Sequence, residues 1–332
     1  MSASGSERSH AALVLNPVKA DAQRLRSALL ASSHEHGWDP PRIYETSVDD
    51  PGRGVTRTAI EEGAAAVLAA GGDGTVRSVS EAMAGTGIPF AVVPSGTGNL
   101  FARNLGLPLL APERVMDAVF TGFTHPVDIG WATLTREDGV QSEHGFVVLA
   151  GMGLDADMIA NTRPDLKRSV GWVAYLDGAA RSLPRATPFR VVYQLDDGRL
   201  HTVKVHSMLF ANCGALPAGI ALMPDASLDD GTMDVAVIQP TGPLGWLGIW
   251  RKIWWDNSVL RRTRAGRLAL ERRGRSASIR YLRARSAEAA MAAPTSIELD
   301  GDELGTAVRM LCRIEQGALS IVLPAGHDVS RF

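Results

Sequence analysis

The sequence predicts a two-domain protein: an α/β domain built on a parallel sheet, then a β-rich domain that is mainly an antiparallel sandwich. Three observations carry that expectation. Over residues 11–127, short apolar runs alternate with amphipathic segments across short links, the rhythm of a parallel sheet covered by helices. Over 128–325, strand-length runs separated by turns such as Asp196-Asp197-Gly198 dominate. The chain has 332 residues, 45% of them hydrophobic, which is more than one core usually serves.

The elements of the first domain follow in order. AALVLNP (11–17) reads as a buried strand ended by Pro17. Residues 21–37 have helical spacing through Leu25, Ala28, Leu29 and Ser32, and stop at Gly37. PRIYET (41–46) is strand-like, 54–63 is a short helix closed by Gly63, and AAAVLAA (64–70) is a strand. A helix is expected over 76–85, a strand over 89–94, and helices over 99–108 and 111–120. In the second domain one helical pattern, 168–184, interrupts the strands.

Composition narrows the function classes. Two cysteines, Cys213 and Cys312, make neither a disulfide framework nor a zinc site, which points to a reducing compartment. The N-terminus MSASGSERSH lacks the apolar core of a signal peptide, and no run of about 18 apolar residues is present. A cytoplasmic protein is expected. The net charge of −2 hides an asymmetry: residues 251–286 carry twelve basic and two acidic side chains, leaving −12 for the remainder. Four tryptophans precede or open that basic run (245–275), the composition of an element drawn to anionic lipid; packing against the sandwich with a solvated basic face is the alternative. No recognised nucleic-acid motif accompanies the charge, so no nucleic-acid partner is expected.

Two small-residue corners stand where an open α/β sheet binds ligands, at the carboxyl ends of strands. The first is Gly71-Gly72-Asp73-Gly74-Thr75. Its glycines let backbone N–H groups approach a ligand, and the following helix N-terminus suits phosphate. Asp73 would repel a bare phosphate, so it asks for a bridging cation such as Mg²⁺. A plain strand-to-helix turn, with Asp73 and Thr75 as caps, is the competing account. The spacing matches neither the dinucleotide fingerprint nor the P-loop. The second corner, Ser95-Gly96-Thr97-Gly98 before Asn99, repeats the logic, and Arg103 one turn further on either reaches an anion or lies in solvent.

GGDGT followed by PSGTGNLFAR resembles the catalytic domain shared by diacylglycerol, sphingosine and ceramide kinases, particularly the bacterial lipid kinases. GMGLDADMI (151–159), PDASLDDGTMDVAVI (224–238) and LDGDELG (299–305) extend the likeness over roughly 11–325, in the family's order. The resemblance implies a diacylglycerol kinase/NAD kinase-like fold, ATP and Mg²⁺ as cofactors, a lipid as substrate, and diacylglycerol converted to phosphatidic acid. It places the ATP phosphates along Gly71, Gly72, Asp73, Gly74 and Thr75, with Asn16, Pro17, Thr46, Gly96 and Thr97 also facing the nucleotide. The usual Ser/Gly turn after Asn-Pro is replaced by Val18-Lys19, and Lys19 is a candidate substitute.

The resemblance also makes Asp300-Gly301-Asp302 the catalytic turn, with Asp302 where the family carries glutamate and Glu303 as a stand-in. Two carboxylates two apart can divide duties, one on a metal and one accepting a proton from a hydroxyl; without the other motifs the same stretch reads as a solvated hairpin. The resemblance further implies a structural Mg²⁺ held by one carboxylate and backbone carbonyls, by position Asp230 with oxygens of Ser227 and Thr232; the alternative is an ordinary turn before a strand. Asp155 and Asp157 face the site or cap a helix. Contact with the membrane inner face and a homodimer are the partner expectations. Other readings stay open: a sphingosine- or ceramide-type kinase, an NAD kinase (which shares GGDGT but not PSGTGN followed by FAR), or a nucleotide- or lipid-binding protein without turnover.

Overall fold

The computed structural model describes residues 9–153, 188–216, 220–221, 223, 225–240, 279–330 and 332. The helix expected over 168–184, the Trp/Arg segment 245–275, Asp155 and Asp157 lie outside the described residues. The chain divides into two compact units, one of 1–127 with 317–332 and one of 128–316. Residues 317–325, assigned from sequence to the β-rich domain, thus belong with the first unit.

The first unit contains β1 (Ala11–Leu15), α1 (Ala22–Glu35), β2 (Arg42–Glu45), α2 (Arg53–Glu61), β3 (Ala66–Gly71), α3 (Asp73–Met83), β4 (Pro89–Pro94), α4 (Leu100–Asn104) and α5 (Pro112–Thr121). Its strands pair in parallel in the order β2-β1-β3-β4. Every residue of β1 and β3 is buried, as expected for continuous apolar strands covered on both faces. Helices supply that cover: α2 packs on β1, α3 on β3, and α4 and α5 on β4, while α1 packs with α5, α2 with α3 and α3 with α4. Because β2 lies on one side of β1 and β3 on the other, the strand order reverses at β1. The carboxyl ends of β1 and β3 therefore form a topological switch point, where such sheets bind ligands.

The second unit is built from β5 (Phe123–Thr135, entering from the first unit), β6 (Gln141–Phe146), β7 (Leu149–Met152), β8 (Phe189–Leu195), β9 (His201–Val205), β10 (Ser207–Ala211), β11 (Ala215–Leu216), β12 (Ile220–Ala221), β13 (Met233–Ile238), β14 (Ile279–Ala284), β15 (Ser286–Leu299) and β16 (Asp302–Leu323, whose end belongs to the first unit). Within this unit the strand pairs of known register are antiparallel: β7 lies between β10 and β15, β13 between β10 and β14, and β5 with β6 and β8 with β9 form hairpins. A bulge between Ala290 and Thr295 lets the first half of β15 pair with β8 and the second half with β7. Phe146, Tyr193, Met208, Phe210 and Met310 anchor the core between these strands.

At the end of β16, Ser320 and Ile321 pair in parallel with Pro89 and Phe90, and His327 Nε2 contacts Leu105 O at 2.8 Å. The first unit's sheet is therefore completed by residues more than 200 positions after β4.

In β5, Gly130 faces the fully buried Phe146 across the hairpin, and a Cβ at residue 130 would collide with that ring. Gly130→Ala is expected to destabilise the protein by about 1–3 kcal/mol through overpacking, read as a lower urea midpoint with an unchanged slope.

Candidate active site

The two glycine corners interlock within the first unit. Gly71 ends β3, Gly72 is the N-cap of α3, and Asp73 and Thr75 fall in the helix's first turn rather than in a loop before it. An aspartate there is favoured by the helix dipole, which accounts for α3 beginning three residues earlier than its apolar pattern. Gly72 offers no side chain to cap the helix, and a Cβ at that residue would meet open space. The first-turn N–H groups lie beside this open space, where a helix N-terminus can receive an anion. The second corner packs against the first: a Cβ on Gly96 would come within 2.9 Å of Gly72 Cα, and one on Gly98 would collide with Asp73 Oδ2.

Asp73 joins the corners directly. Its Oδ1 accepts from Leu100 N–H at 2.6 Å, capping α4, a helix whose own N-cap Asn99 is left-handed (φ 47°) and makes no cap bond. Asn99 instead closes the corner, its Oδ1 accepting from Gly96 N–H and its Nδ2 donating to Gly96 O, each at 2.8 Å. Arg103 Nε donates to Gly98 O at 2.7 Å, so this guanidinium braces the corner. Thr97 is exposed on it.

At the end of β1, Asn16 Oδ1 accepts from Val18 and Lys19 N–H at 3.1 and 3.2 Å, and its Nδ2 lies 3.4 Å from Thr75 Oγ1. Pro17 and Lys19 are exposed beyond it, while Thr75 is buried, its hydroxyl under Gly71. Thr46 is buried after β2 and donates its N–H to Leu15 O at 2.9 Å. The loop that carries Thr46 is tied down by Asp50, whose carboxylate accepts from Gly52, Gly54 and Val55 N–H at 2.8–3.1 Å. The first unit thus brings Asn16, Thr46, the first corner and the second corner to the carboxyl end of one sheet.

In the second unit, Asp300 and Gly301 are the two central residues of a hairpin joining Leu299 to Asp302, with φ of 50° and 91°. Aspartate-glycine suits such a type I′ turn, which needs positive φ at both positions. The solvated hairpin that this stretch suggests without the other motifs is not what forms at its first residue. Asp300 is buried, its Oδ1 accepting from Val148 and Leu149 N–H at 2.9 and 2.8 Å and its Oδ2 from Val147 N–H at 2.8 Å. Both oxygens are thereby engaged by the strap before β7, so Asp300 orders the turn. Asp302 is half-buried at the start of β16, and Glu303 is exposed.

That strap is held from its other side by Asn212. The Asn212 Nδ2 donates to Asp128 O at 2.9 Å and Val147 O at 3.2 Å. Cys213 beside it is a buried thiol pushed well above its ordinary pKa by burial and by the neighbouring Asp300 charge. Asp128, fully buried, accepts Gly231 N–H at 2.7 Å and donates its own N–H to Leu228 O at 2.7 Å. The Ser227–Thr232 turn is therefore anchored on a buried carboxylate. Asp230 Oδ1 accepts from Thr232 N–H at 2.9 Å and Thr232 Oγ1 at 2.7 Å, and Ser227 Oγ donates to Asp229 Oδ1 at 2.9 Å.

Comparison with known proteins fits this geometry to a family. Residues 10–132 match the diacylglycerol kinase catalytic domain, and residues 147–323 match the YegS C-terminal NAD kinase beta sandwich-like domain, over half of the chain. A Pseudomonas aeruginosa protein named "Probable lipid kinase YegS-like" is 30% identical over 329 residues, 96% of each chain. The chain belongs to this lipid-kinase family. A Mycobacterium tuberculosis diacylglycerol kinase is 28% identical over 227 residues, covering 68% of this chain and 71% of that one. The crystal structure of a diacylglycerol kinase from Bacillus anthracis str. Sterne superposes with a TM-score of 0.71 at 21% identity, over 96% of this chain and 97% of that one, a likeness of fold.

Sequence reasoning missed several residues that shape this lipid kinase's site. Asp50 and Asp128 stand in no motif of the sequence, and nothing local marks Asn212 as the holder of a strap 65 residues away. The signal that could have found Asp128 is a lone acid inside the apolar run PVDIGWATL.

Two outcomes follow from the corner. Gly98→Ala should displace Asp73 and weaken ATP binding, with a loss of about tenfold or more in affinity by calorimetry and a cooperative unfolding transition retained. Burial pushes the Asp50 carboxyl up, but the N–H groups of Gly54, Gly52, Val55 and Arg53 outweigh it and hold the group below its ordinary value. A depressed folded pKa stabilises above the unfolded value of about 4 and is lost as pH falls through the folded one. Asp50→Asn should accordingly be less stable than the parent at neutral pH, with the gap closing in urea titrations below about pH 4.

Proposed function

We propose that the chain transfers the γ-phosphoryl group of ATP, with Mg²⁺, to the free hydroxyl of diacylglycerol, giving phosphatidic acid and ADP. The observation that carries this reading is the interlocked pair of corners, with a helix N-terminus at a switch point that Gly72 leaves open and Asp73 fixed at its mouth. Family membership supports the reaction class, and a relative named diacylglycerol kinase supports the acceptor.

In this reading the first unit holds the nucleotide. Backbone N–H groups at Gly72–Thr75 take phosphate oxygens, Thr75 and Thr46 line the same end of the sheet, and Thr97 reaches the nucleotide from the second corner. The open space over Gly72 fits a phosphate, and Asp73 is the carboxylate that would hold the Mg²⁺ accompanying it. That ion, when bound, offsets the charge of the phosphates.

The second unit supplies the acceptor side. The hydroxyl oxygen forms the new P–O bond, the bond to ADP breaks, and the hydroxyl proton passes to a carboxylate. Asp302 is proposed as that base and Asp300 as the group that sets its position, because both Asp300 oxygens are committed to backbone donors. A lipid acceptor is met at a bilayer, and the basic segment 251–286 is the proposed attraction to an anionic membrane surface. Among the described residues no helix is long and apolar enough to cross a membrane.

Transfer from labelled ATP to diacylglycerol, sphingosine, ceramide and NAD⁺, offered separately, tests the reading. Labelled phosphatidic acid is expected, and label on another acceptor instead would reassign the substrate. Asp302→Asn should lower kcat by about 10²-fold or more with little change in the melting temperature. Glu303→Gln should keep most activity. Asp300→Asn should lose both activity and stability, since an amide NH₂ would face a backbone N–H. Equal effects at 302 and 303 would remove Asp302 from the role of base.

A further inference from the structure

Two consecutive peptide planes in the strap before β7 are gripped at both ends. The carbonyl of Val147 and the N–H of Val148 belong to one plane. Its oxygen accepts from Asn212 Nδ2 at 3.2 Å and from the Cys213 thiol at 3.4 Å, while its N–H donates to Asp300 Oδ1 at 2.9 Å. In the next plane, Val148 O accepts from the N–H groups of Asn212 and Cys213 at 2.9 and 3.2 Å, and Leu149 N–H donates to the same Asp300 oxygen at 2.8 Å. A peptide is flat and stiff, so a grip on its oxygen fixes where its N–H points. Donors on the carbonyl also strengthen the N–H as a donor.

The second plane is held by main-chain donors, which any residue but proline supplies. The first depends on side chains, Asn212 above all. The Asn212 Nδ2 also donates to Asp128 O at 2.9 Å, which ties the strap to β5. This amide has one workable orientation, because its oxygen would face two carbonyls if it were turned over. That orientation is costly: Asn212 is fully buried and its Oδ1 has no hydrogen-bond partner. An orphaned buried acceptor is destabilising, and such costs gather where a site must be held in place.

Asp300 passes this grip on to the turn. Its own N–H donates to Leu149 O at 2.9 Å, so strap and turn exchange bonds in both directions, and Asp302 follows two residues on. We propose that Asn212 is a positioning residue for phosphoryl transfer, acting through the 147–148 peptide on Asp300 and so on the placement of Asp302. This role rests on the reading of Asp302 as the base. All the groups in the chain of bonds belong to the second unit, so the nucleotide corners of the first unit are left untouched by it.

Amide exchange and a double-mutant cycle of kcat, both on the full chain, test this. Asn212→Ala should speed exchange at Val148 and Leu149 by about fivefold or more, with Val235 and Val237 of β13 unchanged as references. It should lower kcat about tenfold in the parent but less than about twofold in Asp302→Asn, because misplacing the base costs nothing once the base is gone. ADP affinity should hold in every variant. A role in stability alone would lower kcat by the same factor in both backgrounds, and that result overturns the proposal while leaving the base in place. Unchanged exchange at Val148 and Leu149 overturns it as well. A parent that labels no acceptor removes the kinase reading and this role together, and Asp302→Asn as active as the parent removes the base and this role but not the kinase. Should Asn212→Ala fail to fold, Asn212→Ser keeps a donor on a shorter stem and is read against the same outcomes.

Discussion

The short bond from Leu100 N–H to Asp73 is the constraint on which the carboxyl end of the first unit's sheet depends. It makes one carboxylate serve two helices, lying in the first turn of α3 and capping α4. Two corners 22 residues apart in sequence are thereby fixed as one object. The glycines follow from that closeness: residues 96 and 98 have no room for a β-carbon, because Gly72 and Asp73 occupy the space. A phosphate site needs donors placed before the ligand arrives, since ordering them on binding would cost affinity.

Asp300 plays a comparable part in the second unit. A buried carboxylate must be hydrogen-bonded, and three backbone donors from one strap meet that demand. The positive φ at Asp300 carries a steric cost that the strap offsets, so a residue in an unfavourable conformation sits where neighbours over-determine it. The next side chain but one, Asp302, emerges from a turn with little freedom left.

Much of the fold was legible because its signals are local. The strand-helix alternation of 11–127 and the small-residue corners needed only period and composition, and the strands of the β domain were visible as apolar runs between turns. What escaped was set by partners distant in sequence. That residues 317–332 belong with the first unit depends on pairing with β4, more than 200 residues earlier, and no local pattern in ALSIVLP distinguishes that use from a sandwich strand. Likewise DGDE taken by itself reads as a solvated hairpin because it is polar, whereas the burial of Asp300 is decided by the strap at 147–149. Arg283 was read as one charge in a basic tract, and only the register of β14 against β13 brings it to Asp234.

The late arrival of the closing strand has a consequence for how the chain is made. Until residues 320 and 321 are made, β4 presents an open edge of apolar backbone, and such an edge invites pairing with another chain. The strands of the first unit precede by more than 200 residues the one that closes their sheet. Its glycine corners can be ordered early, but protection of the sheet from aggregation waits for that closing strand, so chains cut short before it would be sticky as well as incomplete.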